Sequence, residues 1–525
     1  MTPGRRAALP VALQAPGSIH AAHATLPRDA PGAVYRRRKI CLQSSATLPP
    51  PNGPPDMPLD SLIARLAQIV GEQHLLTRTE DMAPHLREWR DLYRGAALAV
   101  VKPGATQEVA AIMRLATAEH LPVVPQGGNT GLVGGQIPDT SGTMLVLSLQ
   151  RLDRVREVDP LTDTMTVEAG VTLQRAQEAA EEAGRLFPLS LASEGSCTVG
   201  GNIATNAGGT AVIAYGNTRD LVLGLEVVLA DGRVWNGLGK LRKDNTGYDL
   251  KNLFVGSEGT LGIVTAAVLK LFPRPRSRAT AFCGLASPAA ALDLLTLAKR
   301  RAGGAVTTFE LMPRIGLDFV LRHAPGTRDP LAAAHRWYVL IELSSQLDGG
   351  IDDSLEAILG EAIEVGSVED AALASSLEQR AAFWKLREAL SEVQRHEGGS
   401  IKHDVSVPVA EVPAFLAEAT AAVEAWMAGC RVVAFGHLGD GNIHYNVSQP
   451  VGADKAAFLA RWDELNSLVH GIVARYAGSI SAEHGIGRLK RHLLPEVKDP
   501  VALALMRDLK RTLDPDGILN PGAVL

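Results

Sequence analysis

The sequence predicts an α+β fold, with a glycine-rich first half followed by a half of apolar strands and alanine-rich helices. Three observations predict it. Short apolar runs alternate with amphipathic helical repeats from residue 59 to residue 270. Glycine clusters break that alternation at 125–135, 195–216 and 256–263. A proline and charge cluster, FPRPRSR (272–278), reads as a domain boundary, beyond which strands and long helices interleave.

The elements follow in order. LDSLIARLAQIV opens with a helical period, ALAVVKP reads as a strand, and TQEVAAIMRLATAEH as a helix. The strand LPVVPQ runs into the first glycine cluster. TMLVLSL and the helix TLQRAQEAAEEAG precede the second. GLEVVLADGRVW carries an Asp-Gly turn between two strands, and GTLGIVTAAVLKLFPRP closes the half. Beyond the boundary, strands RWYVLIEL and RVVAFGHL alternate with helices PAAALDLLTLAKR and VPAFLAEATAAVEAWM. The tail PVALALMRDLKRTLDPDGILNPG is a helix closed by a turn.

Residues 1–57 stand apart. They hold PGRRAALP, YRRRKI and LPPPNGPPDMP without periodicity, a composition that buries too little surface to order itself. An Arg-rich, acid-poor leader fits a transit peptide, while an extended start preceding a functional Met57 is the simpler reading. The expected division is therefore a disordered leader (1–57), a first domain (58–275), a second domain (276–480) and a C-terminal segment (481–525). A chain of 525 residues has room for about two to four domains.

Composition excludes several functions. A net charge of −5 and a pI near 6.3 show no basic excess, so nucleic acid is not an expected partner. Cys41, Cys197, Cys283 and Cys430 are far apart and form no CxxC, which argues against a disulfide framework, a structural zinc site or an iron–sulfur cluster. A reducing compartment fits. No apolar run approaches the roughly 20 residues of a membrane span, so contact with a bilayer is at most peripheral. A cytoplasmic location is expected, with organellar targeting by the leader as the alternative; a homodimer is the default assembly.

PQGGNTGLVGG (125–135) follows an apolar strand, and successive glycines let backbone N–H groups converge on one concavity. It is neither GxGxxG nor a P-loop. EGSCTVGGNIATNAGG (194–209), Tyr215-Gly216 and GSEGTLGI (256–263) add further small, polar clusters. Three such clusters in one domain suit an extended ligand lying against exposed backbone.

FGHLGDGNIH (435–444) separates two histidines by seven residues, an odd spacing that on one straight strand sends them to opposite faces. A type I′ turn centred on Asp440-Gly441 resolves this. It pairs Gly439 with Asn442, Leu438 with Ile443 and His437 with His444, on one face and close enough to share an ion. Glu483, in SISAEHGIG, offers a carboxylate for a His₂Glu set. From spacing alone, that set and a plain polar hairpin beside a helix-start Glu and an incidental His484 fit equally well.

PQGGNTGLVGG, EGSCTVGGNIATNAGG, YG and GSEGTLGIV together resemble the FAD-binding domain of the vanillyl-alcohol oxidase type. HLGDGNIH, SAEHGIG and the closing LNPG resemble its D-2-hydroxy-acid dehydrogenase branch, and the likeness runs over roughly residues 60–525. The resemblance implies an FAD-binding domain of that type (PCMH-type), followed by an α+β, ferredoxin-like substrate or cap domain. It implies that Pro125, Gly127, Gly128, Asn129, Thr130 and Gly131 wrap the pyrophosphate of FAD. Gly195, Ser196, Thr198, Gly201, Asn202, Thr205, Gly208 and Ile263 would line the rest, with Asn520 closing near the flavin. The 125–135 loop has no histidine or cysteine, so non-covalent FAD is expected.

The same resemblance implies that His437, His444 and Glu483 hold a divalent metal, usually zinc, and that His484 acts as base. In FWKLREALSEVQRHEGGSIKHDVSVP, Arg387 and Ser391 share a helix face and Lys402 lies on the next strand. Where this branch prefers D-2-hydroxyglutarate, a matching Arg, Thr and Lys contact carboxylates, and here Ser391 replaces the Thr but keeps the hydroxyl. Asn446 would add a hydrogen bond. The expected reaction is oxidation of a D-2-hydroxy acid to its 2-oxo acid, with D-2-hydroxyglutarate favoured over D-lactate or glycolate by two fixed cations. An external acceptor, whether electron-transferring flavoprotein, quinone or cytochrome, would take the electrons. Two other classes are weighed against this: a flavin-binding electron-transfer subunit without its own substrate site, and a flavin-free metal-dependent hydrolase.

Overall fold

The computed structural model describes residues 58–525. The leader, with Cys41 and the expectations attached to it, lies outside the described residues.

Three large sheets and a two-stranded ribbon, Arg185–Leu186 with Phe272–Pro273, organise this region. Strands Ala99–Val101, Leu145–Ser148 and Val123–Gln126 pair in parallel, and Leu75–Leu76 adds antiparallel at one edge. The parallel strands are almost wholly buried, as strands covered on both faces must be. Helices Leu59–Val70 and Thr106–Ala118 cover one face, burying Leu62, Leu66, Ile112 and Met113 completely, and Met82 packs on Val100 and Val146 on the other. The chain end returns here: Val123 N donates to Ile518 O and Asn520 N to Val123 O, both at 2.8 Å.

The second sheet is antiparallel, in the order Val155–Asp159, Thr164–Glu168, Ile263–Lys270, Val222–Val228 and Val234–Gly237. Its first two strands, in RVREVDPLTDTMTVE, escape a periodicity reading because Val155–Asp159 is an edge strand with little buried side chain and Thr164–Glu168 is buried at every position, so neither alternates.

The third sheet has seven antiparallel strands: Asp370–Leu373, Ser277–Leu285, Trp337–Ser345, Val306–Pro313, Arg431–His437, Asn442–Ser448 and Ser400–Ser406. Alternation splits each strand between two cores. Val339, Ile341 and Leu343 pack beneath helices Pro288–Ala302, Ile351–Glu364 and Val412–Trp426. Tyr338 and Leu340 face helices Arg314–His323 and Leu377–Val393. On that second face, Phe435 and Val433 share their side of the strand with His437, while Ile443, Tyr445 and Val447 point the other way and leave His444 and Asn446 beside it. The sheet thus presents His437, His444, Asn446, Lys402, Asp404 and Glu310 to one side, while His403 packs on the other against Tyr445 and His470.

Candidate active site

The hairpin at 437–442 differs from its expected register. His437 pairs with Asn442 and Phe435 with His444, two residues away from a turn centred on Asp440-Gly441. A type I′ turn needs positive φ at both central residues, and here Gly441 (φ 84°) has it while Asp440 does not. Instead Asp440 N and Gly441 N both donate to His437 O, at 3.2 and 3.1 Å, and a four-residue loop results. A shift of two preserves the face, whereas a shift of one would have inverted it. The two histidines become diagonal neighbours, with ring centroids 5.5 Å apart.

Glu483 completes the cluster from a loop rather than a helix start. The ligand atoms of His437, His444 and Glu483 lie within 4.8 Å of one another. His437 Nε2 is 3.6 Å from Glu483 Oε1, and His444 Nε2 is 3.9 Å from Glu483 Oε2. The glycine-rich half holds this carboxylate in place. Gly209 N donates to Glu483 Oε1 at 2.7 Å, and a Cβ on Gly208 would sit 2.7 Å from the same oxygen. Gly208 therefore serves the carboxylate's approach. The loop continues into Ile486 and Gly487, whose N–H groups donate to Glu258 at 2.7 and 2.8 Å. Burial pushes both Glu258 and Glu483 up to about 7.

Two carboxylates behind the histidines carried no sequence signal as site residues. Glu310, fully buried, accepts from His437 Nδ1 at 2.7 Å and from Arg387 Nε at 2.6 Å. Its one trace in the sequence is a lone acid in the otherwise apolar FELMP. With Nδ1 so engaged, His437 keeps Nε2 for a ligand. Asp404 accepts from Glu483 N and His484 N, both at 2.9 Å, and from Asn442 Nδ2 at 3.0 Å. His484 Nδ1 stands 3.5 Å from Asp404 Oδ2. Among the described residues a second group, Asp404, Glu483 and His484, also meets metal spacing. Asp404 is already committed to three donors, so His437, His444 and Glu483 are the better-fitted donor set.

The acid-recognition candidates flank this cluster. Lys402 lies across the strand pair from Asn446, and its Nζ donates to Ser391 O at 2.9 Å. Burial lowers Lys402 to about 8, with the charge of Arg90 assisting. Arg387 is more constrained than a helix face suggested: it is buried, joined to Glu310 and stacked over Phe435 at 4.9 Å. Its terminal nitrogens make no hydrogen bond among the described residues.

The glycine clusters pack directly on one another. A Cβ on Gly128 would meet Ser196 O at 1.9 Å, and one on Gly127 would meet Thr198 Oγ1 at 2.4 Å. Asn129 (φ 57°) and Asn520 (φ 44°) take the left-handed conformation, and the Oδ1 of each is buried without a partner among the described residues. The hydroxyls of Thr198 and Thr205 serve their own helix, capping Gly201 N and donating to Gly201 O. Every cofactor, metal, base and substrate candidate named from the sequence lines one cavity of about 1500 Å³. That volume exceeds an ordinary small-ligand site, and its orphaned amides and bare glycine backbone fit a long polar ligand such as FAD.

Comparison with known proteins matches both halves of the chain to described families. Residues 97–237 match the family described as FAD binding domain, and residues 274–524 match FAD linked oxidases, C-terminal domain. The chain is 40% identical to D-2-hydroxyglutarate dehydrogenase of Xanthomonas citri pv. viticola, over 88% of this chain and 96% of that protein. It is 37% identical to the mitochondrial D-2-hydroxyglutarate dehydrogenase of Arabidopsis thaliana, over 92% of this chain and 85% of that protein. A solved alkyldihydroxyacetonephosphate synthase shares the fold, with a TM-score of 0.69 at 19% identity, covering 90% of this chain and 87% of that one. No helix among the described residues is long and apolar enough to cross a membrane.

Proposed function

This chain belongs to the D-2-hydroxyglutarate dehydrogenase family of FAD-linked oxidases, and from that premise we propose that it oxidises D-2-hydroxyglutarate to 2-oxoglutarate. The observation that carries the reading is a single cavity lined at once by the glycine cradle, His437, His444, Glu483, His484 and the cations Arg387 and Lys402.

Non-covalent FAD, when bound along the cradle, supplies the two-electron acceptance that turns the alcohol into a ketone. His437, His444 and Glu483 would hold a divalent cation, a donor set that serves zinc, manganese or iron, and the cation would supply positive charge that favours ionisation of the substrate hydroxyl. His484 is the general base. Burial lowers its pKa to about 4, so it is neutral at physiological pH, and its Nδ1 side faces Asp404. Nε2 accordingly takes the hydroxyl proton, and the Asp404 charge steadies the imidazolium that forms.

Lys402, charged below about pH 8, anchors a carboxylate with Ser391 and the free nitrogens of Arg387. Asn446 adds an amide hydrogen bond beside His444. Arg387 already meets Glu310, so Lys402 is the cation that a distal carboxylate matches and that D-lactate or glycolate would leave unpaired. The electrons pass on to an external acceptor, an electron-transferring flavoprotein, a quinone or a cytochrome. The basic leader and the mitochondrial designation of the plant relative set an organellar address beside the cytoplasmic one.

An anaerobic titration with D- and L-2-hydroxy acids tests this. D-2-hydroxyglutarate should bleach the flavin band fastest and its L-enantiomer should not. A yellow protein that no D-2-hydroxy acid bleaches, or one that both enantiomers bleach alike, contradicts the proposal.

A further inference from the structure

Three arginines punctuate REWRDLYR (87–94), and the fold uses two of them locally. Arg87 and Arg94 both donate to Asp91, at 2.8 and 2.6 Å. Glu88, 1% exposed, accepts from the backbone N–H of Arg90 at 2.9 Å and of Leu92 at 3.1 Å, which pins the turn from within. Asn129 of the first glycine loop donates to Pro84 O and Arg87 O, both at 3.0 Å, so the segment is fixed against the cofactor cradle.

Arg90 stands between these ties and joins neither. It is half-buried, and its guanidinium makes no hydrogen bond or ion pair with any described residue. It lines the same cavity as Lys402, His444, Asn446 and His484. Burial lowers its pKa below the ordinary guanidinium value, while Glu88 and Asp404 pull the other way; its own charge depresses Lys402 and His484. Arg90 is therefore within electrostatic reach of the residues that would handle substrate. A half-buried cation on a pinned loop, with no ion-pair partner among the described residues and within Coulombic reach of a second cation lining the same cavity, is costly unless a ligand brings negative charge. The C2 hydroxyl and its neighbouring carboxylate belong at His437, His444, Glu483 and His484. What remains to be matched on the Lys402 side is the far end of the substrate.

We propose that Arg90 is a specificity-determining residue which, together with Lys402, receives the distal carboxylate of a dicarboxylate 2-hydroxy acid. The assignment rests on the reading of the cavity as a D-2-hydroxy-acid oxidising site. A planar fork suits a carboxylate approached from a fixed loop, and a lysine replaces it only in part.

The test uses the FAD-loaded full chain with Arg90→Met and Arg90→Lys. Flavin reduction is followed with D-2-hydroxyglutarate and with D-2-hydroxyvalerate, which carries a methyl where the distal carboxylate would be. Arg90→Met should lose roughly 10- to 100-fold in kcat/KM for D-2-hydroxyglutarate, the worth of a charge-assisted contact, with most of the loss in KM. D-2-hydroxyvalerate should be left nearly unchanged, the flavin spectrum intact, and Arg90→Lys intermediate. Equal losses on both substrates, no loss on either, or release of FAD from both variants overturns the assignment. Failure of the unaltered protein to be bleached by either acid overturns the functional reading as well, and that result is distinct because it precedes any substitution.

Discussion

His437 and His484 present the same partnership with opposite results. Each turns Nδ1 toward a buried carboxylate, Glu310 at 2.7 Å and Asp404 at 3.5 Å. Burial pushes both imidazoles down, yet Glu310 overrides it and lifts His437 to about 9, whereas Asp404 does not, and His484 falls to about 4. The difference lies in what the carboxylate is already doing and in the charges around it: Lys490, Arg90 and Lys402 also hold His484 down, while Glu483 helps raise His437. Glu310 meets His437 in a direct hydrogen bond, with Arg387 on its other oxygen. Asp404 Oδ2 is occupied by two backbone amides and reaches His484 only across a gap. A tightly held imidazole is fixed in orientation, and a cation that binds its remaining nitrogen has to displace the proton held there. A loosely held, neutral one is free to take a proton.

Substitutions that exchange or erase these environments test the contrast. The largest effect is expected from His484→Gln, which should slow flavin reduction by about 10²- to 10⁴-fold, the usual worth of a general base, while FAD stays bound. Unimpaired bleaching in a stopped-flow trace would remove His484 from the chemistry. Glu310→Gln comes next. Losing the partner that orients a metal ligand typically costs about 10- to 100-fold in metal affinity, measurable by competition with a chromophoric chelator. An unchanged affinity would mean that Glu310 only fills the core.

Lys402 gives a smaller, pH-dependent effect. Its ammonium is present below about pH 8 and lost above it, so kcat/KM for D-2-hydroxyglutarate should fall as pH rises through that value. Lys402→Met should be weak throughout and lack that limb; a limb that persists belongs to another group. The smallest effect is expected of Asp404→Asn. Asp404 raises His484 against burial, so removing its charge should move the acid limb of the rate, near pH 4, to still lower pH. A limb moving upward would invert the electrostatic assignment.

The sequence made some of this contrast legible and concealed the rest. His437, His444 and the Gly-Asp-Gly between them announced a same-face pair, and that survived a wrong turn type because a register error of two leaves the face unchanged. Glycine clusters declared a backbone-lined cradle, since Gly and Asn are the residues that occupy left-handed backbone cheaply. Glu310 was hidden because its pairing with His437 spans 127 positions and depends on which strands become neighbours, which no local pattern encodes. Asp404 was hidden by the ordinary look of an acid in a charged strand. Arg90 was indistinguishable from Arg87 and Arg94 until the turn consumed those two. Local chemistry can be read from the chain, but the assignment of partners has to wait for the sheet.

The most direct measurement is flavin bleaching by D-2-hydroxyglutarate in protein stripped with a chelator and then restored with zinc. The stripped protein should keep its FAD, lose its rapid bleaching, and regain it as zinc approaches one equivalent per chain. Full-rate bleaching by metal-free protein would contradict the joint role of His437, His444 and Glu483.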